Sequence, residues 1–224
     1  MSASKRVALI WDPYNDPEDA CMEFRLTYQG PLFATQRDPV TGQIDKRADH
    51  KHDIRRVFHG QLKRLWQITP FLTKPRAIRV GAYAGSEAHD IATLSAKNQH
   101  YGFNFVPLVT EDIGLLCGLD ILFLRPDKPG GVVWAGDIDN RIKTLIDCLR
   151  IPSPNEEYEK RSPDADDAPF FCLLQDDKLV TKLSIETDQL LEFISPSNMS
   201  DVRLVITVSL RPFEMHLGNM EFGG

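Results

Sequence analysis

Apolar and polar residues alternate over 23–28, placing Phe24, Leu26 and Tyr28 on one face before Gly30-Pro31 ends the run. That period predicts a first core strand. From 49 or 50 to 66 the period becomes helical. With His52 set at zero, Ile54, Phe58, Leu62 and Leu65 fall at about 200–280°, while His52, Arg55, Arg56, His59 and Lys63 cluster within about 60° of one line. One face is a core stripe and the opposite face a basic one, with Gly60 weakening the helix by about 1 kcal/mol relative to alanine. Residues 103–109 and 116–124 predict a hairpin bent at Glu111-Asp112 and Gly114. A second helix starts at Asp137, because Ile138, Ile142, Leu145, Ile146 and Leu149 fall in one arc of about 100°. Residues 170–174 return the chain to the core. Two closing strands follow at 179–185 and 202–210, the latter with Val202, Leu204, Ile206, Val208 and Leu210 on one face.

Between these elements the pattern is weaker. Residues 35–47 and 151–168 read as loops punctuated by proline or glycine. Residues 77–84 predict a strand, and 87–97 a short helix capped by Ser86. The first 20 residues are polar apart from 7–11, which predicts an added edge strand, and the tail after Pro212 reads as loose.

Chemistry concentrates on the second helix. With Asp139 at zero, Lys143 lies at about 40° and Asp147 at about 80°, and Asp137 stands at the N-terminus, where the dipole favours negative charge. Asp176-Asp177 precede a closing strand. Carboxylate oxygens are hard ligands suited to Mg²⁺ or Mn²⁺, and a neighbouring lysine can neutralise phosphate. An N-cap aspartate followed by i,i+4 ion pairs uses the same residue types. An EF-hand loop is excluded, because its fifth and sixth positions hold Arg141 and Ile142. Aspartyl phosphatases and Asp-x-Asp sugar transferases favour a doubly wound sheet, which one long helix before the motif does not supply.

The run Asp137-Ile138-Asp139-Asn140-Arg141-Ile142-Lys143, then Asp147, then Asp176-Asp177 leading into 179–183, resembles the RusA family of Holliday junction resolvases. Their signature is D-x-D-N-x-x-K, then D and a late D-D. The resemblance spans roughly residues 21 to 212 and is specific around the motif; elsewhere it is one of element order. It implies a mixed α/β (α+β) domain with helices against a mainly antiparallel mixed sheet. It also implies a Mg²⁺-dependent endonuclease of branched DNA, with Mn²⁺ as a substitute, working as a homodimer. Asp137, Asp139 and Asp177 would be the catalytic metal ligands and Lys143 the essential cation. Asp147 and Asp176 are further candidates, Asp147 as the residue orienting Lys143. Compact members are much shorter, which makes 1–20, 67–102 and 151–169 additions. Compact members also carry arginines just before the motif, where 132–136 is apolar here. These departures define the alternative, a catalytically inactive RusA-fold protein that binds a protein or nucleic acid.

Length and charge refine this picture. At 224 residues and 42% hydrophobic, the chain can form one substantial core, and the expectation is a single domain over 1–224. A net charge of −6 opposes general nucleic-acid affinity, yet residues 44–79 hold ten basic side chains against three acids. His52, Arg55, Arg56, His59 and Lys63 are therefore candidate backbone contacts for DNA, although a solvated charged face has the same pattern. The four cysteines lack C-x-x-C spacing and read as reduced core thiols. Residues 7–11 are too short for a signal-peptide core, and no run approaches a membrane span, so the expected location is cytoplasmic, with no membrane partner.

Overall fold

A computed structural model describes residues 22–34, 36–37, 44–45, 47–74, 77–80, 83–88, 90–126, 137–153, 162–192, 200–216 and 218–223. The expected strand at 7–11, Cys21, the apolar run before the motif and the acids at 156–159 lie outside the described residues. In chain order the strands are β1 (Met22–Pro31), β2 (Gln36–Arg37), β3 (Ile44–Asp45), β4 (Ala77–Val80), β5 (Tyr83–Ala88), β6 (Gln99–His100), β7 (Phe103–Val109), β8 (Leu115–Arg125), β9 (Phe170–Leu174), β10 (Val180–Gln189) and β11 (Asp201–Pro212). The helices are α1 (Ala48–Ile68), α2 (Pro70–Thr73), α3 (Ile91–Lys97) and α4 (Asp137–Leu149). None of them is long and apolar enough to cross a membrane.

The fold is α+β, with two mixed sheets and two small hairpins, β2–β3 and β4–β5. The larger sheet runs β1-β11-β8-β10, with antiparallel β1–β11 and β11–β8 pairs and a parallel β8–β10 pair. Its register puts Leu26 beside Ile206 and Ile206 beside Ile121, so the alternating face of β11 becomes a continuous apolar surface. The second sheet runs β6-β7-β9, with β7 and β9 parallel.

Helix α1 lies between the two sheets. Ile54, Phe58 and Leu62 join the main core, where the Phe58 ring approaches Tyr28 of β1 at 6.2 Å. The opposite side meets the second sheet, with His59 stacked on Phe170 at 4.5 Å.

Several expectations are corrected. Residues 103–109 and 116–124 form strands, but they are not hairpin partners: β7 pairs with β9 and β8 with β11 and β10. A turn signal between two apolar runs is equally satisfied when the chain crosses from one sheet to another, and β7 is buried along almost its whole length. The short helix begins at Ile91, because Asp90 rather than Ser86 caps it, accepting from the Thr93 N–H at 2.8 Å. The tail is docked. Asn219 Nδ2 donates to the Ile113 carbonyl at 2.9 Å, and buried Phe222 meets Phe71 edge-on at 5.3 Å.

Candidate functional site

Burial of Ile138, Ile142, Leu145 and Leu149 fixes how α4 sits on the core. The same rotation leaves Asp139 and Lys143 exposed, one turn apart. Among the described residues neither makes a hydrogen bond or an ion pair. The i,i+4 pairs that would account for these charges as ordinary helix stabilisers are not formed. Arg150, just past the helix, falls at about 20° from Asp139 and so continues the same edge.

Asp147 is turned further round and is buried against α1. Its Oδ2 accepts from Lys51 Nζ at 2.7 Å and its Oδ1 from Arg150 Nη2 at 2.9 Å, while its carbonyl accepts from Arg55 Nη2 at 2.7 Å. Burial alone would raise its pKa, but the hydrogen bond and charge of Lys51, then those of Arg150, hold the carboxyl below its ordinary range. The expectation that Asp147 orients Lys143 is corrected. At about 80° its carboxylate is taken up by the α1 contact and cannot also reach the exposed edge.

The second aspartate pair comes from the turn that follows β9. Parallel pairing of β9 with β7 continues into a bond from the Gln175 N–H to the Val109 carbonyl at 2.9 Å. The chain then turns, and Asp176 Oδ1 accepts from the Lys178 N–H at 3.0 Å. Lys178 forms an ion pair with Glu111, whose hydrogen bond and charge raise the lysine pKa. Asp177 stays exposed, with its Oδ2 3.9 Å from Arg150 Nε, too far for a hydrogen bond. Asp176, Asp177, Arg150, Asn98, His100 and Ser153 line an open cleft of about 430 Å³. Among the described residues the Arg150 Nε, buried there, has no hydrogen-bond partner.

The sequence-predicted residues thus fall into two groups along one edge of α4. Asp139 and Lys143 lie toward its start. Asp176 and Asp177 lie beside Arg150 just beyond its end, and the Arg150 backbone is about 16 Å of helix rise away from Asp139. The Asp137 side chain lies outside the described residues, and among the described residues no three His, Cys, Asp or Glu side chains gather as a metal-ligating group. Lys51 and Arg150 were not singled out from the sequence. Arg150 has a legible signal in its angular position, whereas Lys51 does not, since its role needs α1 and α4 to meet.

The basic stripe of α1 is corrected in part. His52, Arg55 and His59 are buried against the second sheet and are not available to a DNA backbone. A helix held between two sheets must bury both faces, and these side chains find partners inside: His59 Nδ1 accepts from the Phe171 N–H at 2.8 Å, and its Nε2 donates to the Asp166 carbonyl at 3.1 Å. Burial lowers the His59 pKa. Arg56 remains partly exposed but pairs with Asp164 at 3.1 Å and Asp167 at 3.6 Å. Lys63 donates to the Asp166 carbonyl at 3.3 Å. The acidic turn 164–167 therefore docks on this helix rather than projecting as a free loop. Comparison with protein-family models, with curated proteins and with solved structures found no match to this chain.

Proposed function

We propose that this chain is a cytoplasmic, divalent-metal-dependent endonuclease of the RusA type that cuts branched DNA, Holliday junctions among its substrates. One observation carries the reading: Asp139 and Lys143 of the D-x-D-N-x-x-K motif are exposed and, among the described residues, uncommitted to each other or to any partner. A helix that used these charges for its own stability would pair them. Exposed carboxylates of this kind are suitable donors for Mg²⁺ or Mn²⁺, and Asp137 and Asp139 are the residues that would hold it, whereas Asp177 sits with Arg150 beyond the end of α4 and is not gathered with Asp139 into one ligand set. When bound, the metal supplies a Lewis acid and lowers the pKa of a coordinated water. Lys143 meets the phosphate and stabilises the charge that develops on it during displacement. Arg150, held by Asp147, attracts Asp177 and keeps it at the cleft. Two copies acting on opposed strands suit a symmetric junction.

A second reading, a RusA-fold module that binds DNA or protein without cutting, is favoured by the burial of His52, Arg55 and His59, which removes much of the basic stripe. The test is a panel of four-way, three-way, flap, duplex and RNA substrates with Mg²⁺, Mn²⁺ or EDTA. Metal-dependent cutting of the branched DNAs is expected. Binding without cleavage under every metal condition would select the second reading.

A further inference from the structure

Strand β10 is the outer strand of the four-stranded sheet. One side pairs with β8 from Val180 to Gln189, and among the described residues nothing pairs with the other. A long exposed edge is a template for another strand unless its charges repel one. The charges of β10 have a different arrangement: Lys182 and Glu186 are four residues apart on one face, and Leu183 and Ile185 lie on the other.

We propose that β10 is the interface between two copies of this chain, pairing antiparallel with β10 of the second copy about a two-fold axis at Ser184. The two four-stranded sheets then become one continuous sheet of eight strands. Residues opposite one another in such a sheet must share a face, so only registers centred on a residue are allowed. Centring on Ser184 sets Lys182 opposite Glu186 of the second copy and Leu183 opposite Ile185, each pair occurring twice, and the bulge between Val180 and Lys182 ends the regular ladder there. Centring on Leu183 leaves Lys182 opposite Ser184 and carries Glu186 past the bulge between Val180 and Lys182, without a charged partner. Centring on Ile185 offers Lys182 an acid, Asp188, but sets Leu183 against Thr187. Only the Ser184 register matches both charge and apolar character, and cross-strand pairs of both kinds stabilise a ladder.

The side chains are placed for it. The Lys182 side chain is 67% exposed and pairs with Asp120 of β8 at 3.7 Å, and Leu183 is an exposed apolar residue that pairing would cover. The interface takes the two-copy arrangement from the nuclease reading and adds where the copies join. Its measurement reads assembly alone, so failure here and failure of cleavage are separate results.

The test is sedimentation of the full chain as wild type, Lys182→Glu, Glu186→Lys and the double variant K182E/E186K. Wild type should dimerise, each single reversal should weaken the dimer by about tenfold or more, and the double variant should regain most of the affinity because its charges pair again. Ser184→Cys gives an independent reading. Two copies of that residue face each other across the axis within disulfide reach, so mild oxidation should yield a covalent dimer that wild type does not form. A monomeric wild type, a double variant weaker than either single, or no Ser184→Cys crosslink above the wild-type background would overturn the interface.

Discussion

Asp147 is the residue on which two helices depend. Its carboxylate lies between Lys51 of α1 and Arg150 beyond α4, and all three side chains are largely withdrawn from water. Replacing it with asparagine removes the anion but leaves both cations in place, so Asp147→Asn should destabilise the fold by about 3 kcal/mol, read by urea unfolding. Its lowered pKa means that this stabilisation is complete above the ordinary carboxyl value and is lost as pH falls below it. His50 and His59 act in a higher pH window. Each accepts a backbone N–H, from Phe33 at 3.2 Å and from Phe171 at 2.8 Å, and burial lowers each pKa from 6.5. The unfolded chain therefore takes up protons first on acidification. Stability from the two neutral rings is complete above 6.5 and declines as pH falls through and below it. Unfolding midpoints at about pH 7.5 and about pH 5.5 should show that fall, and a flat profile would contradict the neutral pairing. At this scale the apolar stripe of α4 was legible, since Ile138, Ile142, Leu145 and Leu149 are all buried. The fate of His52, Arg55 and His59 was not, because periodicity separates polar from apolar faces without revealing a second sheet waiting for the polar one.

Helix α1 runs for 21 residues with Gly60 past its middle. That glycine is exposed, and a methyl group added there would meet no atom within 4 Å, so it serves neither a close contact nor a special turn. Gly60→Ala should stabilise the protein by about 0.5–1 kcal/mol, a rise in melting temperature of roughly 2–4 °C by scanning calorimetry. An unchanged or lower midpoint would mean that the helix bends there in solution. Elements with a strong period were readable in advance: β1, α1, α4 and β11 lie where the pattern put them. Pairing was less readable. The β7 and β8 strands are consecutive, but β9 arrives about 60 residues later in sequence to pair with β7, and no local signal encodes that return. The β6–β7 turn hid for another reason: Tyr101 takes φ of +52° beside Gly102 at +79°, a hairpin geometry that tyrosine does not advertise.

For the whole molecule, the net charge of −6 is distributed so that acids answer bases internally: Asp147 meets Lys51 and Arg150, and Asp164 and Asp167 meet Arg56. The edge of α4 stands apart, because Asp139 and Lys143 have no such answer among the described residues. That contrast was half legible. The motif and its angular alignment could be read from sequence, whereas the distance between Asp139 and Asp177 follows from where β9 meets the end of α4. Metal-dependent cleavage through this edge is the central claim, and Asp139→Asn tests it with little change in shape. The measurement is the rate of cutting of a labelled four-way junction in Mg²⁺ by wild type and Asp139→Asn, with thermal unfolding of both. The account predicts metal-dependent cutting by wild type, a loss of about a hundredfold or more in the variant, and metal-free stability unchanged within about 0.5 kcal/mol. Equal cutting by both proteins, or an inert wild type, would contradict it.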